Sequence, residues 1–247
     1  MLLLGITPIA DGPASLLLGF AAYVVAVAGV TLAGLGAGLH RAGFSADRRL
    51  RIVRLSGAAL ATWFLFLAMS AVSGLYLEAR APRFLLYAVP ALLAAVLLGR
   101  AGWVRAAVDA MPLWWIPALQ TLRVGGGSSL FAAWAIGLAP WGLVLPAGIG
   151  DIAVGLAAAA VAVALARRIR GARTAALVWN ILGLLDILHT LFRAVTSAPG
   201  PQRLYFEEPA TLIPLVYPFV FLPGFVVPLT ILLHLLSLRQ LRAAATK

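Results

Sequence analysis

Thr174–Thr196 reads TAALVWNILGLLDILHTLFRAVT and follows directly on a run holding Arg167, Arg168, Arg170 and Arg173. As a helix it is long enough to cross the roughly 30 Å hydrocarbon core of a bilayer, which takes about 20 apolar residues. At about 100° per residue, Asp186, His189, Thr190, Arg193 and Ser197 fall within an arc of roughly 100°, opposite a face of Leu, Ile, Val and Phe. An apolar span with one polar stripe and a basic flank predicts a transmembrane helix whose stripe lines a polar crevice opening to the outer side.

Six further apolar stretches surround this one: Ala14–Leu39, Leu55–Leu77, Phe84–Gly99, Pro112–Ala139, Pro146–Ala166 and Thr211–Leu236. The basic residues alternate between them. Arg41, Arg48, Arg49, Arg51 and Arg54 fill the first loop, Arg100 and Arg105 the third, the four arginines before Thr174 the fifth, and Arg239, Arg242 and Lys247 the tail. Only Arg80, Arg83 and Arg203 fall on the other side, while Arg123 and Arg193 lie inside spans. Basic loops stay in the cytoplasm. The pattern therefore predicts one all-α domain over residues 1–247, a bundle of seven transmembrane helices with the N-terminus outside and the C-terminus cytoplasmic.

Composition points the same way. Of 247 residues, 63% are hydrophobic and 11% charged, with mean hydropathy +1.01. A soluble domain has about 45–50% apolar and about 25% charged residues, so a soluble domain and a disordered chain are excluded. The net charge of +11 is accounted for by the loop arginines, which makes the lipid bilayer the expected partner rather than nucleic acid. With no cysteine there is no thiolate metal site and no cysteine nucleophile. Met1–Ala14 lacks a basic n-region and is interrupted by Pro8, Asp11 and Pro13, so no cleavable signal peptide is expected.

An ionisable group inside a span usually faces the bundle interior and marks function. The candidates are Gln120, Arg123, Asp151, Asn180, Asp186, His189, Thr190 and Arg193. Arg123 and Asp186 fall at matching depths near the middle of their spans, which predicts an ion pair. With its helix starting at Pro146, Asp151 is expected in the first turns, near the positive end of the helix dipole and within reach of His189 or Arg193. His234 is expected near the cytoplasmic end of the last span as an interfacial residue. The leading functional expectation is binding or passage of a small polar or anionic solute, anchored by Arg123 and coupled to protons. One alternative is an intramembrane enzyme using Asp151, Asp186 and His189 as metal ligands or acid–base groups. Another is a non-catalytic accessory subunit, in which the polar groups fix helix register. A homo-oligomer or larger membrane complex is compatible with all three.

No cofactor is expected. The last span has no lysine for a retinal Schiff base, and His189 and His234 are expected about 20 Å apart in depth, too far to share a haem. No phosphate loop, nucleophile elbow or HExxH motif is present. Gln120 with Arg123, the Pro146-Ala147-Gly148 and Gly150-Asp151 run, Trp179-Asn180, Gly183 with Asp186, Pro199-Gly200, and Pro228 followed by His234-Leu235 resemble a group of uncharacterised bacterial multi-pass membrane proteins, some labelled permease-like. The resemblance covers about residues 116–241. It implies a bacterial inner-membrane location and carries no established activity.

Overall fold

The computed structural model describes residues 7–77 and 83–245. Arg80 and Lys247, two of the charges in the topology argument, lie outside the described residues. Among those described there is no strand, only an isolated bridge between Ile9 and Tyr217. Helix α1 (Ala14–Arg41) and α2 (Ala46–Val72) form a hairpin, followed by a 3₁₀ turn at Leu75–Leu77. Helix α3 (Leu85–Arg100) meets α4 (Gly102–Asp109) at a 65° bend. The chain continues through α5 (Trp115–Gln120), α6 (Arg123–Ala135), α7 (Trp141–Ala166) and α8 (Ala172–Ser197) to a π-helical turn at Leu222–Val226 that runs into α9 (Val227–Ala245).

Five of these helices are long and apolar enough to cross a membrane, or six if the bent α3–α4 pair is one span. They are apolar on the outside as well as the inside: Leu18, Leu65, Leu86, Leu97, Leu156 and Leu188 all stand exposed. A helix hydrophobic all round needs burial in lipid or in a larger apolar surround.

Several boundaries differ from the sequence reading. The stretch Pro112–Ala139 is not one helix. Between α5 and α6 the backbone tightens into i→i+3 bonds, Thr121 N to Ala118 O, Leu122 N to Leu119 O and Val124 N to Thr121 O, which breaks the span where Arg123 begins α6. The segment Thr211–Phe221 is buried but not a regular helix. Pro214 and Pro218 supply no backbone donor there and push the residues before them away from the helical region. Ile213, Val216, Phe219 and Val220 from this segment instead fill the main core with Phe20, Leu67, Tyr87 and Leu143. Helix α2 starts at Ala46, so Arg48, Arg49, Arg51 and Arg54 ride on its first turns rather than in a loop. Helix α7 starts at Trp141 with Pro146 inside it, which places Asp151 well within the helix and removes the helix-dipole argument made for it.

Candidate functional site

Three elements, α7, α8 and α9, converge on Arg123, the first residue of α6, which is 3% exposed. A guanidinium carries five N–H donors and no acceptor, and all five have an acceptor here. Nε–H donates to Asp151 Oδ1 at 2.8 Å. The Nη2 donors reach Asp151 Oδ1 and Asp186 Oδ2, each at 2.5 Å. The Nη1 donors reach Gly183 O at 3.3 Å and His234 Nε2 at 3.2 Å. The expected Arg123–Asp186 pair is therefore present, with Asp151 as a second carboxylate on the same cation.

The network continues through His234, which is 0% exposed. Asn180 Nδ2 donates to Ala176 O at 2.8 Å and to Ser237 Oγ at 3.0 Å, which leaves its Oδ1 as acceptor for His234 Nδ1 at 3.0 Å. His234 is thus the Nδ1–H tautomer, with Nε2 free to accept from Arg123. Trp179 packs on the imidazole with ring centroids 4.8 Å apart and donates its own Nε1–H to Val154 O at 2.9 Å. Gln120 Nε2 donates to Thr230 O at 3.1 Å, one turn before His234. The close approach depends on glycine at two positions. A Cβ at Gly150 would overlap the Asp186 carboxylate, and one at Gly183 would overlap the His234 ring.

This corrects the reading of His234. Its helix begins at Leu222 and runs to Ala245 rather than ending at Leu236, so His234 sits mid-helix, level with Gly183. The depth separation from His189 that argued against a shared haem is accordingly about 9 Å of helix rise, not 20 Å; His189 stands exposed on α8 while His234 is buried. The signal for His234 was in the sequence: Thr230, His234 and Ser237 fall at i, i+4 and i+7, one polar stripe on one face.

The α8 stripe does not line one open crevice. Asp186 points into the cluster, and Ser197 is buried under the loop that follows it, with Thr211 N donating to Ser197 O at 3.0 Å. Thr190 is partly buried with its hydroxyl unpaired among the described residues. Arg193 does not meet Asp151. It donates to Gly142 O at 2.9 Å and Glu207 Oε1 at 3.3 Å, and stacks over the Tyr205 ring at 3.6 Å. Nearby, a hydrogen bond from Arg203 holds the Glu208 carboxyl below the usual carboxylate range. The metal alternative also fails to assemble: Asp151 and Asp186 converge on a guanidinium, His189 stands apart, and among the described residues no group of three or more His, Asp or Glu could hold a metal ion.

Residues 82–242 match a family described as a domain of unknown function, DUF8737. The chain belongs to that family. No curated protein and no solved structure matches the chain. The DUF8737 segment opens just before α3 and closes in α9. It contains every member of the network from Gln120 to Ser237, whereas α1 and α2 lie outside it.

Proposed function

We propose that this protein is a seven-span carrier of a bacterial inner membrane that binds or passes a small polar solute, with Asp151 and Asp186 as its proton-coupling pair. The observation that carries the reading is a charge imbalance. One guanidinium with every donor committed lies between two carboxylates that are 21% and 14% exposed. In a hydrocarbon surround the second negative charge calls for a proton or a monovalent cation. Because Arg123 has no donor to spare, an anionic solute would reach it only by displacing a carboxylate, which makes a cationic or neutral solute the better partner.

The seven-span arrangement takes α3–α4 as one bent crossing and α5–α6 as one broken crossing. Contacts between the ends of elements support it. Arg239 pairs with Asp109 at 2.5 Å and Arg173 donates to Ala244 O at 3.2 Å, which groups the ends of α4 and α9 with the start of α8. At the opposite end, Ala10 N donates to Tyr217 O at 2.8 Å and Leu212 N to Leu138 O at 2.7 Å. Those two groups are the sides that the arginine count assigns to cytoplasm and exterior.

The same saturation favours a second reading, an accessory protein in which the cluster only fixes helix register. Infrared difference spectra of the reconstituted protein between pH 8 and pH 5 separate the two. Under the coupling reading a carboxylic-acid band appears that is lost in both Asp151→Asn and Asp186→Asn. Wild-type and variant spectra that coincide in that band overturn proton coupling and leave the accessory reading.

A further inference from the structure

Helix α2 meets the bundle unevenly. Its C-terminal half is anchored: Trp63 Nε1 donates to Gly224 O at 2.9 Å, Phe64 packs on Phe221 and Phe225, and Leu67 and Ala71 are buried. Its N-terminal half, from Ala46 through Leu60, holds no buried residue. The wedge left between that half and the bundle is a cavity of about 590 Å³. Its walls include Leu35 of α1, Ala59 of α2, Ala94 of α3, Val104 of α4, Trp115 of α5 and Leu232 of α9.

Three features define what this space can hold. Its lining is almost wholly apolar, so water there would lack the polar partners it requires. It is about one leaflet deep. Leu55 to Trp63 on α2 rises about 12 Å and Gly224 to Leu236 about 18 Å, which brackets half of the roughly 30 Å hydrocarbon core. Its border toward the start of α2 is basic: Leu55 lines both the cavity and a second recess formed with Asp47, Leu50, Arg51 and Arg54. Arg51 and Arg54 stand three apart on one face of α2, and neither makes a hydrogen bond or ion pair to another described residue. Asp47 is the one acid at this mouth.

We propose that the wedge is a lipid site that takes an acyl chain of an anionic phospholipid from the surrounding bilayer, with Arg51 and Arg54 on its headgroup. The alkyl chain matches the apolar wall and its depth. The two guanidinium forks match a phosphate bearing uncompensated negative charge. The site lies on the side that the arginine count assigns to the cytoplasm, where anionic headgroups attract basic residues. It shares no residue with the Arg123 cluster and does not depend on proton coupling.

The test is native mass spectrometry of the full chain, purified in mild detergent and incubated with phosphatidylglycerol or phosphatidylcholine of identical acyl chains. Wild-type protein is expected to retain one phosphatidylglycerol at least about tenfold more readily than phosphatidylcholine, the preference two lipid-facing arginines supply. Arg51→Gln with Arg54→Gln, both on an exposed surface, should bring the two lipids to equal retention without loss of fold. Ala59→Trp, which fills the wedge, should lose both lipids while circular dichroism stays unchanged. Equal retention of the two lipids by wild type, or a preference that survives the double arginine variant, overturns the proposal. So does full retention by a folded Ala59→Trp.

Discussion

Each of the five Arg123 donors has an acceptor, but the acceptors are not equivalent. Three donors go to two carboxylates and the other two to a neutral carbonyl and a neutral imidazole. This predicts an order among substitutions that a simple two-residue pair would not. Asp186→Asn removes one carboxylate and leaves Arg123 held by Asp151 through two donors, a one-to-one pair with no net charge. The expected cost is about 1.5–3 kcal/mol, that of a hydrogen bond to a charged group. Arg123→Gln strands two carboxylates around no cation, at roughly 3–5 kcal/mol or more. Adding Asp151→Asn and Asp186→Asn to Arg123→Gln should recover much of that loss. Thermal unfolding in detergent followed by circular dichroism measures all three, and equal losses from Asp186→Asn and Arg123→Gln would refute the three-membered cluster. Half of this cluster is legible in the sequence, because Arg123 and Asp186 are lone charges at matching depths. Asp151 is misplaced because proline is a common helix start, and Pro146 conceals five residues of helix before it. His234 is misread because its depth was counted from a helix end that the backbone does not use.

Prolines set the behaviour of the elements, and three of the carbonyls they free find a side-chain donor. Pro146 can give no N–H to Gly142 O, four residues earlier, and Arg193 donates there at 2.9 Å. Pro218 leaves Pro214 O without its i+4 donor, and the Tyr87 hydroxyl fills the place at 2.8 Å. Pro228 does the same to Gly224 O, which Trp63 Nε1 meets at 2.9 Å. In a hydrocarbon surround such carbonyls need a partner. The donors therefore tie α3 to the Thr211–Phe221 segment, α2 to the π-helical turn, and α8 to α7. Trp63→Phe keeps the ring packing and removes the donor, so it should cost about 1 kcal/mol. In a Pro228→Ala background, where a backbone N–H faces Gly224 O, the same change should cost less. A double-mutant cycle on melting temperature checks this, and strictly additive losses would count against the assignment. The sequence displays these prolines plainly but not their partners. A 3.6-residue period marks which residues face inward, whereas pairing a donor with a carbonyl 51 to 161 positions away needs the packed helices.

At the scale of the whole molecule, the arginine count assigns each end of the helices to one side of a membrane, and that assignment is open to a direct test. Long apolar runs need no tertiary information, so α1, α2, α7 and α8 are legible as spans, with errors confined to their ends. The run Pro112–Ala139 is legible as apolar but not as broken, since the 3₁₀ turn at Thr121 has no signature of its own. Whether that broken run crosses the membrane decides the orientation of everything after it. If α5–α6 crosses, the loop holding Arg167, Arg168 and Arg170 lies with Ser45, and the segment from Pro199 to Pro209 lies on the opposite face. If α5–α6 instead turns back, the later loops exchange sides while the α1–α2 hairpin does not. The chain contains no cysteine, so single substitutions report without background. Ser45, Arg170 and Glu208 are all exposed and serve as positions on three different loops. In intact cells, an impermeant thiol reagent added outside is expected to label Glu208→Cys and to spare Ser45→Cys and Arg170→Cys until the membrane is permeabilised. Labelling of Arg170→Cys from outside, with Ser45→Cys still protected, would mean that α5–α6 is re-entrant. The Arg123 cluster would then be reached from the other side of the bilayer.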